Sequence, residues 1–92
     1  MIIVNFFTTL RIYLNSKQLR IQADEMSVQE LLRYCETKLS RPFFYKLVDN
    51  DGSIRPGAMI LVNGQNILHL HELQTIVRNG ASVALFPPGG GG

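Results

Sequence analysis

The sequence of 92 residues predicts an α+β fold, in which a mixed sheet of about five strands carries one main helix across it. Two strand-like segments, Ile2–Phe7 and Ser82–Phe86, are the most apolar in the chain and lie at its opposite ends. Between them, a helix-start signal at Ser27 precedes apolar residues at helical spacing. A tight-turn dipeptide, Asn63-Gly64, then joins two further strand-like runs. We expect the first and last strands to lie parallel at the centre of the sheet.

The composition is that of a globular domain with one small core. Hydrophobic residues make up 46% of the chain and charged residues 17%. The basic residues are scattered and the formal net charge is only +2, so we expect no nucleic-acid partner. The apolar runs are shorter than the roughly 20 residues that span a bilayer, and no secretory signal pattern is present. We therefore expect no membrane partner and a cytoplasmic location, which the single cysteine also favours.

The N-terminal segment predicts two antiparallel strands joined by a short helical connection. In the first strand, Asn5 divides a core side from a more open side. The core side holds Ile2, Val4 and Phe6, and the open side holds Ile3, Asn5 and Phe7. Residues 8–17 predict one helical turn that packs Leu10 and Leu14 inward. Residues 18–23 alternate without interruption and predict a half-exposed strand with inward residues Leu19, Ile21 and Ala23.

The main helix has the best-marked start in the chain. Ser27 and Glu30 form a capping box, because the serine hydroxyl can accept from the third helical N–H while Glu30 reaches back to the cap. Met26 and Leu31 occupy the positions of a hydrophobic staple around it. The helix is predicted to continue to about Leu39 with one apolar stripe. The stripe consists of Val28, Leu31, Leu32, Cys35 and Leu39.

Pro42 predicts the end of this helix, and residues 42–48 predict a further short turn over the edge of the core. The irregular loop that follows contains Asp49-Asn50-Asp51-Gly52, a string that suggests a calcium loop. The EF-hand pattern requires glycine at its sixth position and glutamate at its twelfth, and those positions hold Ile54 and Ile60. We therefore do not assign a calcium site.

The C-terminal third predicts a hairpin, a loop and a final strand. Residues 58–62 and 65–68 are expected to pair antiparallel around a type I′ turn at Asn63-Gly64. Residues 69–79 are predicted as a mixed loop with the inward anchors Leu70, Leu73, Ile76 and Val77. In the last strand the inward residues are Val83 and Leu85, and the outward residues are Ala84 and Phe86.

The end of the chain combines two prolines with four glycines. Pro87-Pro88 fixes φ and removes two backbone donors, so the last strand cannot continue beyond Phe86. Gly89–Gly92 carry no Cβ and bury nothing, so we expect them to be mobile. The chain is thus divided into a domain over residues 1–86 and a flexible tail over residues 87–92. An extended tail reaches on the order of 20 Å, which can carry a terminal carboxylate into another protein's active site.

The chain ends in Phe86-Pro87-Pro88-Gly89-Gly90-Gly91-Gly92, and this ending resembles that of the ubiquitin-like sulfur carriers. These include the small subunit of molybdopterin synthase and the thiamine-biosynthesis sulfur carrier. Similar segments of that family fall at residues 7–14, at the helix from Ser27, at Arg55-Pro56-Gly57 and at Val62-Asn63-Gly64. The resemblance covers nearly the whole chain, and the order β-β-α-β-β-β is that of the β-grasp fold of ubiquitin. Two departures are Ala81, where relatives often have an acidic residue, and Gly89-Gly90, where bulkier residues are common.

The resemblance implies a carrier protein rather than an enzyme. In this family, a ubiquitin-activating-type enzyme adenylates the C-terminal glycine with ATP, and a persulfide donor then converts it to a thiocarboxylate. The resemblance therefore assigns the chemistry to Gly92 and Gly91, with no bound cofactor and no metal. A sulfur-accepting synthase, such as the large subunit of molybdopterin synthase, would receive the sulfur. Such carriers serve molybdopterin, thiamine, cysteine and thiolated tRNA, so the pathway stays open.

The base of the tail is the predicted partner-binding surface. Phe86 points outward beside the prolines and suits a partner's pocket, because aromatic side chains supply much of the energy at interface centres. With Phe7 and either Met59 or Leu61, it would form an exposed apolar patch, and a half-covered edge aromatic is the alternative. The remaining predicted contacts are Pro87, Pro88, Gly89 and Gly90.

Other candidate groups favour structural roles. Cys35 could carry sulfur or act in redox chemistry, but its place on the apolar stripe favours burial and packing. His69 and His71 with Glu72 suggest part of a metal site, yet the chain has no other histidine and only one cysteine to complete it. No Ser/His/Asp set or phosphate-binding glycine loop can be assembled.

Three other interpretations of the tail stay open. The chain could be a protein modifier that is joined to lysines through Gly92, since a tail of the same form serves both roles. It could be a β-grasp interaction module with an inert tail. The glycine run could also be a linker or a cloning scar, although a linker would normally carry serine or continue into another segment.

Overall fold

The computed structural model describes residues 1–89 and shows a mixed five-stranded sheet with helices packed on it, as predicted. The strands are β1 (Ile2–Phe6), β2 (Gln18–Ile21), β3 (Glu25–Ser27), β4 (Met59–Val62), β5 (Gln65–Asn66), β6 (Ile76–Arg78) and β7 (Ser82–Phe86). The helices are α1 (Thr8–Leu14), α2 (Val28–Leu39) and α3 (Phe44–Leu47), with 3-10 turns at Ile67–His69 and Glu72–Gln74.

The order of strands across the large sheet is β2-β1-β7-β4-β5. β1 and β7 run parallel, and Val4 pairs with Val83 while Phe6 pairs with Leu85. β1 is antiparallel to β2, and β4 is antiparallel to both β7 and β5. The predicted β-grasp fold is therefore confirmed, and β7 is paired on both sides before the chain leaves the sheet.

One face of the central strands forms the core. The fully buried residues of β1 and β7 are Ile2, Val4, Phe6, Val83 and Leu85, as the alternation predicted. From α2, the apolar stripe buries Val28, Leu31, Leu32 and Cys35 in the same core. Phe6 packs edge-on against Phe43, with the ring centroids 5.8 Å apart. The segment before α3 thus closes one edge of the core.

The capping box of α2 forms as predicted. The Glu30 N–H donates to Ser27 Oγ at 3.1 Å, and the Ser27 N–H donates to Glu30 Oε1 at 2.9 Å. These bonds satisfy backbone donors that a helix start otherwise leaves free. At the other end, Ser40 adopts a left-handed φ of 53°, so the helix ends before Pro42 is reached.

The first connection and the second strand differ in length from their predictions. α1 has seven residues, which is about two turns instead of one, and it buries Leu10 and Leu14 as predicted. β2 ends at Ile21, so Ala23 lies beyond the strand. The inward direction of Ile21 is confirmed by its burial.

The hairpin forms its predicted turn but is shorter than predicted. Asn63 and Gly64 have φ values of 50° and 83°, the two positive values that a type I′ turn requires. β5 ends at Asn66, because the Asn66 side chain accepts a hydrogen bond from the Leu68 N–H at 3.0 Å and caps a 3-10 turn. Residues 67–68, which were predicted as strand, therefore leave the sheet.

Residues 69–79 contain more regular structure than the predicted mixed loop. Val77 lies in β6, which pairs antiparallel with β3 and forms a second, two-stranded sheet. Val77 and Leu73 are buried as predicted. The inward assignments of Leu70 and Ile76 are wrong, because these side chains are 37% and 43% exposed. Since Val77 faces the core, strand alternation turns Ile76 outward.

Candidate functional site

The site lies where β1 and β7, the parallel central strands, come to an end. Phe7 directly follows β1, and its N–H donates to the Leu85 carbonyl of β7 at 3.1 Å. This bond brings Phe7 beside Phe86, and the two rings stack with their centroids 4.5 Å apart and an angle of 8° between their planes. Both side chains are half-buried. The structure thus brings together two of the predicted partner-binding residues.

Met59 extends this surface on the next strand. It pairs with Phe86 across β4 and β7, and it is 36% exposed. Leu61 lies one step further along the same face, opposite Ala84, and is half-buried. Of the two neighbours considered from the sequence, Met59 is the one directly opposite Phe86. We name Phe7, Met59 and Phe86 the aromatic patch, after its two phenylalanines.

The two prolines at the end of β7 pack against a loop of the domain. Pro87 is buried and Pro88 is half-buried. Gly57 approaches Pro88 so closely that a Cβ on Gly57 would lie 3.3 Å from the Cβ of Pro88. The φ of Gly57 is +89°, a conformation that glycine adopts most readily. The first part of the predicted tail is thus supported by the domain.

The glycines of the tail fall at the limit of the described residues. Gly89 is exposed and has a φ of 64°. Gly90, Gly91 and Gly92 lie outside the described residues, so the mobility of the tail and the chemical roles of Gly91 and Gly92 stay predictions.

A groove of about 330 Å³ lies beside the prolines. Its lining residues are Thr9, Tyr45, Lys46, Arg55, Pro87 and Pro88, and we name it the tail-base groove. The groove was not predicted from the sequence, because most of its wall comes from α3 and from the irregular loop, where no periodic pattern indicates a surface. The only available sequence signal was a pair of cations, Lys46 and Arg55, on either side of that loop.

Arg55 is fixed in the wall of the groove by two polar contacts. Its Nε donates to the Tyr45 carbonyl at 2.6 Å, and its guanidinium pairs with the Asp49 carboxylate at 2.8 Å. The backbone N–H of Arg55 also donates to the Leu47 carbonyl at 2.9 Å. Arg55 therefore ties α3 to the loop that carries Gly57.

Lys46, which lines the groove, belongs to a cluster of aromatic and cationic side chains. The ammonium of Lys46 lies 4.3 Å from the centre of the Tyr13 ring, and the guanidinium of Arg41 lies 4.2 Å from the same ring. The Tyr13 hydroxyl donates to the Pro42 carbonyl at 2.7 Å. Hydrogen bonding to Arg41, with a smaller effect of Tyr45, lowers the pKa of the Tyr13 hydroxyl. Hydrogen bonding to Tyr13 raises the pKa of the Tyr45 hydroxyl.

The other candidates do not join this site. Cys35 is fully buried in the core as predicted, and desolvation, with a smaller effect of Glu36, raises the pKa of its thiol to about 12. His69 and His71 are exposed. Within residues 1–89, no three His, Cys, Asp or Glu side chains are placed to hold a metal ion. The longest helix in that range, α2, has twelve residues, fewer than the roughly 20 that cross a bilayer.

Comparisons with known proteins identify relatives over almost the whole chain. A candidate sulfur carrier protein of Archaeoglobus fulgidus is 30% identical over 79 residues, which cover 86% of this chain and 89% of that protein. Small archaeal modifier protein 3 of Haloferax volcanii is 30% identical over 90 residues, which cover 97% of this chain and 96% of that protein. The solution structure of small archaeal modifier protein 1 from Methanosarcina acetivorans superposes with a TM-score of 0.75 at 25% identity, and covers 99% of this chain and 95% of that one.

The family comparison agrees with the fold and with the predicted resemblance. The ThiS family model matches residues 4–92, from the first strand through the glycine run. The β-grasp topology, the proline-supported end of β7 and this match together show that the chain belongs to the ThiS family.

Proposed function

We propose that this protein is a sulfur carrier whose C-terminal glycine, Gly92, is adenylated and converted to a thiocarboxylate. The observation that carries the proposal is the family match over residues 4–92, which includes the glycine run at the end of β7. The similarity to a candidate sulfur carrier protein of Archaeoglobus fulgidus supports it. In this proposal the protein is a co-substrate of partner enzymes and not itself a catalyst, and it works in the cytoplasm.

The proposed chemistry follows from the weakness of a carboxylate as an electrophile. An α-carboxyl group has a pKa of about 3.5, so it is ionised at neutral pH and resists attack. A ubiquitin-activating-type enzyme would join the Gly92 carboxylate to AMP and release pyrophosphate from ATP. The terminal sulfur of a persulfide donor would then displace AMP, and a second thiol would cleave the resulting S–S bond to leave a thiocarboxylate. Gly91 would leave the terminal carbonyl open to these enzymes, because it has no side chain.

The domain supports this chemistry by holding the origin of the tail in place. β7 is paired with β1 on one side and with β4 on the other, and Pro87 is buried beyond it. The aromatic patch lies at the same end of β7 and would contact the enzyme that receives the tail. Beyond Pro88, which packs against the loop of Gly57, Gly89 and Gly90 would then pass through a narrow channel of that enzyme.

The sulfur-accepting partner that we propose is a synthase like the large subunit of molybdopterin synthase. The resemblance of the chain to the small subunit of that enzyme supports this choice. Ala81 and Gly89-Gly90 depart from that pattern, and we expect them to affect which activating enzyme or synthase is recognised.

A second candidate function is protein modification through the same C-terminus. It is favoured by the 30% identity to small archaeal modifier protein 3 of Haloferax volcanii over 97% of this chain. In that case the activated Gly92 carbonyl would form an isopeptide bond with a lysine of another protein. Both functions share the activation step and differ in the nucleophile that then attacks the Gly92 carbonyl.

Intact-mass spectrometry of the protein purified from its native cells tests the proposal. Replacement of one oxygen by sulfur would add about 16 Da at the C-terminus, because an activated acyl group has been captured by a sulfur nucleophile. A variant with both Gly91 and Gly92 changed to alanine, or with one residue added after position 92, should lack this mass. Ile12→Ala, at an exposed residue outside the tail and the aromatic patch, is the control and should keep it. A ladder of larger conjugates with no mass gain would favour the modifier, and loading that survives the added residue would exclude both functions.

A further inference from the structure

The tail-base groove carries positive charge that the domain does not neutralise. Within residues 1–89, the ion pairs join carboxylates to Arg33, Arg55 and Arg78. Lys46, in the wall of the groove, and Arg41, which contacts the same Tyr13 ring as Lys46, have no ion-pair partner among those residues. Among the residues of the described range, no acidic side chain lines the groove. The groove therefore presents cations that attract an anionic partner.

The cations are positioned by aromatic rings rather than by carboxylates. Arg41 and Lys46 contact the same Tyr13 ring, at 4.2 Å and 4.3 Å, and Lys46 also lies 5.3 Å from the centre of the Tyr45 ring. A cation–π contact restrains a cation without neutralising its charge, whereas an ion pair would have neutralised it. The cluster thus has the properties of a preorganised site for carboxylates.

The position of the groove connects it with the tail. Pro87 and Pro88 form part of its lining, and Arg55 ties its wall to the loop that carries Gly57. Anything that fills the groove therefore contacts the base of the tail. A volume of about 330 Å³ suits a few side chains. The cations are gathered at one groove and do not form the long stripe that follows a nucleic-acid backbone.

We infer that the tail-base groove binds an acidic segment, rich in Asp and Glu, of the partner protein that takes up the tail. This inference rests on the proposed function, since it assumes that the tail enters a partner. The carboxylates of that segment contact Lys46 and Arg41 while its backbone lies against Pro88. Together with the aromatic patch, this second contact orients the partner around the end of β7. Complementary charge of this kind favours correct docking over other orientations.

A titration with an acidic peptide tests the groove without any partner enzyme. The probe is a blocked octapeptide of alternating Glu and Asp, and a blocked octapeptide of alternating Gln and Asn is the neutral control. Amide shifts in NMR spectra of the full chain report the site, and we expect them at Thr9, Tyr45 and Lys46. The shifts should weaken as salt is raised, because the contacts are electrostatic.

Two charge-reversal variants separate the groove from net charge. Arg41→Glu with Lys46→Glu should weaken peptide binding by about tenfold or more, since both rim contacts become repulsive. Lys17→Glu with Lys38→Glu changes the net charge equally at exposed sites and should weaken binding by no more than about twofold, because exposed charges are screened. Arg55 is left intact because it holds the loop. Unchanged amide shifts at residues away from the substituted positions would show that each variant folds.

Four outcomes would overturn the inference. They are the absence of peptide binding, shifts outside the groove, equal weakening by both variants, and tighter binding of a single-stranded oligonucleotide than of the acidic peptide. Failure of the inference is distinguishable from failure of the proposed function, because peptide binding does not depend on thiocarboxylate formation. A 16 Da mass gain without peptide binding refutes only the groove, and peptide binding without that gain refutes only the carrier chemistry.

Discussion

The rings of Phe7 and Phe86 stack with a centroid distance of 4.5 Å, and they join the chain just after β1 to the last residue of β7. The stacking fixes the outward face of the sheet at the point where the tail begins. Stacked aromatic pairs contribute about 0.5–1.5 kcal/mol beyond their buried area. The pair can therefore act both in stability and in recognition, and the two effects can be measured separately.

We expect the two rings to be energetically coupled. A double-mutant cycle with Phe7→Ala, Phe86→Ala and the double variant should give a coupling free energy of about 0.5–1.5 kcal/mol. Urea unfolding followed by circular dichroism measures the free energies of unfolding of the wild type and of the three variants. Additive losses would show that the rings contribute independently and that their stacking is not a stabilising contact.

The aromatic patch should be needed for loading of the tail. We expect Phe86→Ala to lower the kcat/KM of thiocarboxylate formation by about thirtyfold or more, because truncation of a hot-spot aromatic at an interface centre costs about 2 kcal/mol or more of binding energy. Ile12→Ala is the matched control, since Ile12 is 78% exposed and lies outside the patch. Equal rates for the two variants would assign Phe86 to packing on the face of the sheet alone.

Gly57 should support the start of the tail through its close approach to Pro88. In Gly57→Ala the new Cβ would lie 3.3 Å from the Cβ of Pro88, and φ would remain at +89°. Gly52→Ala is a well-matched control, because Gly52 has a φ of +88° and nothing within 4 Å of its Cβ position. The free energy of unfolding of each variant should fall by about 1–2 kcal/mol, because alanine is strained in the left-handed conformation.

The additional loss in Gly57→Ala isolates the contact with Pro88. We expect about 1 kcal/mol more destabilisation than in Gly52→Ala, because a crowded methyl group forces its neighbours to move. NMR shifts of Gly89 and of the Pro88 side chain should change only in the Gly57 variant. Equal destabilisation, with unchanged Pro88 signals, would mean that the prolines do not rest on the loop.

The parts of the fold that depend on local rules were predictable from the sequence. The capping box of Ser27 and Glu30 needs only residues three apart, and the type I′ turn needs only Asn63 and Gly64. Alternation in the first and last strands assigned the core face and placed Phe86 outward. The family resemblance identified the end of the chain as the candidate site. Each of these features is determined by residues that lie close together in the sequence.

The remaining features depend on contacts between distant segments. β3 is only three residues long, and it becomes a strand because Met26 pairs with Val77 from the other end of the chain. That pairing also turns Ile76 outward, which apolar composition could not indicate. The tail-base groove exists because α3 and the loop of Gly57 pack beside Pro87-Pro88. No pattern within a single segment encodes such a surface.

Cys35 should be unreactive in the folded protein. It is fully buried, and its pKa is raised to about 12, so almost no thiolate is present at neutral pH. We expect an aromatic disulfide reagent to label the unloaded protein at least about 100-fold more slowly in buffer than in urea, since labelling needs local opening. Cys35→Ala should still form the thiocarboxylate. Rapid labelling of the folded protein, or loss of thiocarboxylate formation in Cys35→Ala, would indicate that Cys35 can carry sulfur.

Glu36 should make the stability of the fold depend on pH in the acidic range. Its carboxylate accepts hydrogen bonds from the N–H groups of Phe43 at 2.7 Å and Phe44 at 2.9 Å. Desolvation raises the pKa of Glu36, but these hydrogen bonds and Arg33 outweigh it, so the pKa lies below the ordinary value of 4.5. Because the folded-state pKa is the lower one, the stabilisation is complete above pH 4.5 and is lost as the pH falls through the folded-state value.

Glu36→Gln should remove this acid dependence. At pH 7 it should lose about 1–3 kcal/mol, because a neutral amide oxygen replaces a charged acceptor of two backbone donors. The loss should shrink towards pH 3, where the Glu36 carboxylate of the wild type is itself increasingly protonated. Glu72→Gln, at an exposed residue, should change the free energy of unfolding by less than about 0.5 kcal/mol at either pH. Urea unfolding at both pH values measures these differences in the free energy of unfolding. If Glu36→Gln lowers that free energy equally at pH 3 and pH 7, the shape of the Glu36 side chain and not its charge is stabilising.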